Sequence, residues 1–252
     1  MQVMFATLQG KFRHLRLPPP EEDVLPGIPW GRFDELFTPA FWRGQAWQHE
    51  TLGTYTCLRL GRTLKEETAA CLLGGYGMRA ELGLAAYRRV RDSGFCEVSP
   101  SVQSVEEALS KPFEINGHRV RYRFPRQKAK YFAACMARLS EFREPQTDTT
   151  LRDHLTDLPG IGSKTASWIV RNYRSSDLVA IIDIHILRAG RLAGIFEPSH
   201  EPQKWYRVLE ERFLNFAAAL KTRPSILDGL IWDYMRAIGR NRHSYPVQHR
   251  LL

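Results

Sequence analysis

The stretch Asp157–Asn172, "DLPGIGSKTASWIVRN", decides how this chain is read. Pro159 and Gly160 stop one helix, and Ser163 opens the next directly after Gly162. Glycines at 160 and 162 let backbone approach a ligand closely and present N–H groups to it. With a helix start behind them, those groups form an anion site that suits a phosphate. The same turn can also serve structure alone. Lys164 falls in the first turn of the new helix, where the positive end of the helix dipole opposes a cation. Two readings of it stay open: a lysine that snorkels to solvent, or an amine whose pKa is lowered by its surroundings. The second kind is a nucleophile that can form a Schiff base with a carbonyl carbon.

Downstream lies "LVAIIDIHILRAGRLAGIF". Asp183 follows the apolar run 179–182, so it emerges at the edge of a packed core. It can cap the helix formed by "IHILRAGRL", take part in chemistry, or do both. His185, two residues on, fits either a surface or a core position.

The flanks are mainly helical. Thr63 and Glu66 have capping-box spacing ahead of "AACLLGG", which Gly74 and Gly75 terminate. "RAELGLAAYRRVRDSG" is an amphipathic helix, and Ser104 with Glu107 repeats the capping-box spacing before a short helix. "FEINGHRVRYRFP" reads as a hairpin around Asn-Gly. "RQKAKYFAACMARL" is a helix with Ala129, Phe132, Ala133 and Met136 on one face and Arg126, Lys128 and Lys130 on the other. "TTLRDHL" leads into the Asp157 turn. Two long helices follow, "EPQKWYRVLEERFLNFAAAL" and "SILDGLIWDYMRAIGR", the second capped by Ser225. Residues 1–60 are the least legible: five prolines between Pro18 and Pro29 indicate a wrapping segment, and "WRGQAWQHETLGTYTCLRL" has strand-like character. The expected organisation is an N-terminal extension over 1–62 that packs on the core and is otherwise unplaced, a helical core over 63–240 with its hairpin at 151–172, and a basic tail over 241–252.

Composition sets the class. The chain has 252 residues, 43% hydrophobic and 25% charged, enough for one large domain or two lobes. Its net charge of +9 and pI near 9.6 favour a polyanion such as nucleic acid, although a basic surface can also serve solubility. The four cysteines form no CxxC pair and no usual zinc or iron–sulfur spacing. They read as reduced, buried residues, consistent with a cytoplasmic protein. No signal-peptide layout or membrane-spanning apolar run is expected.

The hairpin "LPGIGSKTA" with Lys164, followed 19 residues later by Asp183 in "IIDIHILR", resembles the helix-hairpin-helix DNA glycosylase superfamily. It looks most like the 8-oxoguanine DNA glycosylase/AP lyases. The resemblance spans 63–240 and is strongest over 151–195. It implies a mainly α, two-lobed helical fold, with short strands allowed in the N-terminal part. It also implies a DNA repair enzyme acting on double-stranded DNA that carries a damaged base, by flipping the nucleotide out of the duplex. Lys164 would attack the sugar C1′, expel the base and leave an imine, and β-elimination would nick the strand. Asp183 would stabilise positive charge on the sugar and position the lysine. Gly160 and Gly162 would offer N–H groups to phosphate, and His185 would contact another. The carbonyls of Thr156, Leu158 and Ile161 would hold a monovalent cation. No other cofactor is required, no iron–sulfur cluster is expected, and the expected state is a monomer.

Beside the resemblance, Trp168 lies one turn after Lys164, and Asp228 and Trp232 lie four apart on the last helix. They could stack on a flipped purine and accept its N–H, or simply pack in a core. Arg79, Arg126 and Lys128 are candidates for reading the partner base. The chain departs from the longer family members at Gly74, Gly75 and Tyr76, where those carry an asparagine. The missing cluster cysteines argue against the endonuclease III and adenine-glycosylase branches. Excision of oxidised guanine is the leading expectation. The same lysine chemistry on another modified base, for example in defence against foreign DNA, and a non-enzymatic DNA-binding module are the alternatives.

Overall fold

Residues 42–52, expected to be strand-like, are helical instead. Helix α1 (Pro39–Leu52) starts at Thr38, whose hydroxyl accepts the N–H of Phe41, and ends at Gly53 in the left-handed region. Its aromatic and small residues, Ala40, Phe41, Trp42 and Ala46, are buried together, which is a helical spacing that β propensity obscured. The computed structural model of the chain describes residues 1–54, 58–75 and 77–240, the last of these by its backbone. Cys57, Tyr76 and the expected basic tail 241–252 lie outside the described residues.

The chain divides into two compact units, Met1–Thr56 with Asp177–Leu252, and Cys57–Ser176. The first unit begins with an antiparallel ribbon, β1 (Gln2–Leu8) and β2 (Lys11–Leu17), and a second short pair, β3 (Asp23–Leu25) and β4 (Ile28–Pro29). Helices α8 (Ile184–Leu192), α9 (Pro202–Ala219) and α10 (Pro224–Arg240) complete it with α1. Its core joins Leu17, Trp42, Ile182, Phe213, Phe216 and Leu230. Residues 1–54 therefore pack as part of this helical unit. Ser225 does not cap α10: it lies inside the helix, and its N–H donates to Asp177 Oδ1 at 3.0 Å. Arg223 Nε donates to the other oxygen at 2.7 Å. A carboxylate distant in sequence covers this helix start, so local spacing pointed to the wrong cap.

The second unit is built around α2 (Leu64–Leu73), which packs on α3 (Ala80–Asp92), α5 (Pro125–Ser140) and α7 (Ser163–Arg174). The Thr63 cap is present, with its hydroxyl accepting the N–H of Glu66. Glu67 is buried within α2, and its carboxylate accepts from Leu60 N, Gly61 N and Asn172 Nδ2 at 2.7–2.8 Å. Helix α4 (Val102–Ser110) is capped by Ser101 rather than Ser104: the chain is still extended at 101, and Ser104 N donates to Ser101 Oγ at 3.0 Å. The Asn116–Gly117 hairpin forms as read, joining β5 (Phe113–Ile115) to β6 (His118–Val120). Ala129, Phe132, Ala133 and Met136 line the buried face of α5. Helix α6 (Asp148–Leu155) runs from its Thr147 cap to the Asp157 turn. Cys71, Cys96 and Cys135 are buried free thiols.

Candidate active site

The turn between α6 and α7 is held from beneath by α5. Cys135 Sγ donates to the Pro159 carbonyl at 3.2 Å and Arg138 Nη1 to the Asp157 carbonyl at 2.7 Å. Gly160 has φ +78°, and a β-carbon there would meet the Tyr131 ring at 2.5 Å. Both conformation and space demand glycine at this position. Gly162 differs: its φ of −96° suits any residue, and a β-carbon would meet nothing within 4 Å. Open space beside Gly162 is what an approaching phosphate requires. Among the described residues, the N–H groups of Gly160 and Gly162 have no hydrogen-bond acceptor. The Leu158 carbonyl accepts the Ile161 N–H at 3.1 Å, and a carbonyl keeps a second lone pair for another partner.

Gly162 is the N-cap of α7, which puts Lys164 at the second helical position. The side chain is half-buried and faces the Gly74–Gly75 turn at the end of α2. A β-carbon on Gly75 would lie 4.0 Å from Lys164 Nζ, and one on Gly74 would lie 3.2 Å from Trp168 Cη2. The departure from the family pattern therefore lies directly against the lysine and the tryptophan one turn after it. This turn is fixed by two further side chains: Lys128 Nζ donates to the Leu72 carbonyl, and Tyr122 Oη to the Leu73 carbonyl, both at 2.6 Å. Burial, and then the nearby charge of Lys164, lowers the pKa of Lys128.

This finding separates the three partner-base candidates and corrects the reading of the basic face of α5. Lys128 is turned inward onto the end of α2, whereas Arg126 and Lys130 are exposed and line a groove with Glu106 and Glu107 of α4. Arg79 is exposed at the start of α3. The residues that support the lysine's surroundings, Tyr122, Tyr131 and Cys135, carry no local sequence signal, because each acts through a contact made far along the chain.

The other unit holds Asp183, His185, Asp228 and Trp232. Asp183 is the N-cap of α8, and its Oδ1 accepts from His185 N at 2.8 Å and Ile186 N at 3.0 Å. Both bonds go to one oxygen, so Oδ2 takes no part in the cap. The carboxylate follows the buried residues Val179, Ala180 and Ile182, at the core edge where the sequence placed it. Helices α8 and α10 pack together, and the His185 ring meets Trp232 edge-on with centroids 6.1 Å apart. The Arg236 guanidinium lies 4.7 Å from the Trp232 ring centre. Burial lowers the pKa of His185; the Asp183 charge opposes this, while Arg188 and Arg236 reinforce it. Its Nδ1 is buried with no hydrogen bond among the described residues. Asp228 is only 2% exposed, one turn before the half-buried Trp232. Trp168 belongs to the other unit.

A family model described as 8-oxoguanine DNA glycosylase matches residues 59–222. The 8-oxoguanine DNA glycosylase/AP lyase of Metallosphaera sedula is 35% identical over 121 residues, covering 44% of this chain and 57% of that protein. That of Saccharolobus solfataricus is 34% identical over 122 residues, covering 44% and 58%. The match thus spans little more than half the length of these relatives. Among solved structures, Methanocaldococcus jannaschii 8-oxoguanine DNA glycosylase is similar with a TM-score of 0.53 and 26% identity, over 69% of this chain and 77% of that one. A trapped endonuclease III–DNA covalent intermediate, at 17% identity, shares the fold alone with a TM-score of 0.57, over 84% and 91%. With the helix-hairpin-helix turn, its lysine and the downstream capping aspartate in place, the chain belongs to the helix-hairpin-helix 8-oxoguanine DNA glycosylase family.

Proposed function

We propose that this protein is a DNA glycosylase with AP lyase activity that removes oxidised guanine from double-stranded DNA through Lys164. The observation that carries the reading is the placement of Lys164 at the second position of α7, behind a turn whose glycine N–H groups are open to a phosphate. The amine of Lys164, once deprotonated, attacks C1′ of the flipped nucleotide. The bond from C1′ to the base breaks, and the base leaves with the electron pair. Opening of the sugar leaves an imine between C1′ and Nζ. Loss of a C2′ proton then expels the 3′ phosphate by β-elimination. Asp183 Oδ2, outside the helix cap, offers negative charge to the cationic sugar. Gly160 and Gly162 bind the strand through phosphate, and Trp168, Trp232 and Asp228 are the proposed base-contacting residues. Carbonyls of Thr156, Leu158 and Ile161 would hold a monovalent cation, whose charge would strengthen the phosphate site.

A second reading, the same lysine chemistry on a different modified base, is favoured by one observation. The Gly74–Gly75 turn, where this chain departs from longer relatives, lies against Lys164 and Trp168. Base release, measured by chromatography on duplexes that each carry one modified base, separates the two. Faster release of 8-oxoguanine than of other oxidised or alkylated bases supports the first reading. Preferential release of another base, still dependent on Lys164, replaces it with the second. A protein that binds duplex DNA but neither releases a base nor cleaves an abasic strand would be a binding module.

A further inference from the structure

Helix α2 does not close its own C-terminus. Gly74 leaves it in an extended conformation, with φ −86° and ψ −154°, so the chain does not fold back over the last carbonyls. Carbonyls in the final turn of a helix then need donors from elsewhere. The Leu72 carbonyl is met by Lys128 Nζ of α5, and the Leu73 carbonyl by Tyr122 Oη just ahead of α5, both at 2.6 Å. Tyr122 is itself buried, with its ring against Phe113. A β-carbon on Gly83 would lie 3.0 Å from Gly74 Cα, so α3 also packs closely on the turn. What this restrained turn faces is Lys164: a β-carbon on Gly75 would lie 4.0 Å from its Nζ. The two amines act on each other, since the charge of Lys164 is the next cause, after burial, of the lowered pKa of Lys128. All of these residues belong to the second unit.

We infer that Lys128 is a positioning residue for Lys164: by holding the Leu72 carbonyl it fixes the Gly74–Gly75 turn against which the Lys164 amine is set, and it does not read the partner base. A lysine that reaches a base edge needs its donors free at the surface. Lys128 commits one of them to the interior, and swinging out to DNA would leave the carbonyl of the buried Leu72 without that donor. Arg126 and Lys130, on the same helix, are exposed and carry no such commitment. An attacking amine must be set against C1′ in a narrow range of distance and direction, so a wall that shifts beside it slows the attack without loosening the DNA. The inference rests on the lysine reaction proposed above.

The test is single-turnover cleavage by the full chain of a duplex with one abasic site, placed opposite either cytosine or a tetrahydrofuran nucleotide that carries no base. Wild type is compared with Lys128→Met, which keeps the apolar stem, and with Tyr122→Phe, which removes only the second hydroxyl bond to the turn. Lys128→Met is expected to slow cleavage at saturating protein by about tenfold or more, equally on both duplexes, because no partner base is involved. The half-saturating protein concentration is expected to stay at the wild-type value, which separates positioning from binding. Tyr122→Phe is expected to slow cleavage in the same manner, and it keeps the test decisive if Lys128→Met fails to fold. Wild-type rates for both variants on both duplexes overturn the inference. Slowing by Lys128→Met only opposite cytosine, or weaker binding with the saturated rate intact, also overturns it and returns Lys128 to the partner strand. A wild type that cleaves neither duplex removes the lysine reaction itself, a result distinct from an active wild type with unaffected variants.

Discussion

At Asp183 the helix cap uses one oxygen, and the proposed chemical role would use the other. The cap bonds both reach Oδ1, and an asparagine can supply the same acceptor. Asp183→Asn is therefore expected to keep stability within about 0.5 kcal/mol, while Asp183→Ala loses about 1 kcal/mol with the cap. Both variants are expected to lose about 100-fold or more in base release, because each removes the negative charge. Thermal melts beside single-turnover kinetics check this; an asparagine variant with wild-type rates would reduce Asp183 to a cap. His185 yields a second residue-scale prediction. Its folded pKa is held below the ordinary value by burial. The imidazole is then neutral at neutral pH, and its contribution to stability is present above about pH 6.5, the unfolded value. That contribution is lost as pH falls through the folded value, where the unfolded chain is already protonated. An NMR titration of His185 should show a midpoint below 6.5; a midpoint at or above it would contradict the assigned environment.

The α6–α7 turn separates two glycines that look equivalent in the sequence. Gly160→Ala faces both a positive φ and the Tyr131 ring, and is expected to destabilise the protein by about 1–3 kcal/mol. Gly162→Ala has room and an ordinary φ, so stability is expected to change by less than about 1 kcal/mol while duplex binding weakens. Denaturant melts and anisotropy distinguish the two; equal destabilisation would mean that Gly162 is under structural demand as well. Most of this element was legible, because a Pro-Gly-x-Gly turn, a helix start and a lysine are all local features. The same holds for the Thr63 cap, the Asn116–Gly117 hairpin and Asp183 at the head of α8. What could not be read locally depends on distant contacts. Asp177 covers the start of α10, Lys128 turns inward to the end of α2, and Tyr131 packs on Gly160. Helix α1 was missed for a different reason: its Trp, Phe and Thr residues favour strands until a cap and a buried face outweigh that preference.

For the whole molecule, charge is the property that sequence alone conveys best. A net charge of +9 implies that duplex binding releases counterions. The slope of log affinity against log salt is expected to be about −3 or steeper, since each neutralised phosphate contributes about −0.9. A flat salt response would remove the phosphate-binding role assigned to the turn. Which core residues the N-terminal extension packs against is what composition could not convey. The proline-rich start reads as a wrapping segment that packs on the core, and Leu17, Trp30 and Trp42 belong to the same core as Phe213 and Leu230. Such long-range partnership leaves no periodic trace in either segment.

The proposed reaction requires a covalent imine between Lys164 and the sugar of a damaged nucleotide. Borohydride trapping tests it most directly, using wild type and Lys164→Ala on duplexes that contain one 8-oxoguanine, one abasic site or no damage. Wild type is expected to form a covalent adduct on the 8-oxoguanine and abasic duplexes, and the variant none. An adduct that survives Lys164→Ala, or none on any duplex while binding persists, would contradict it.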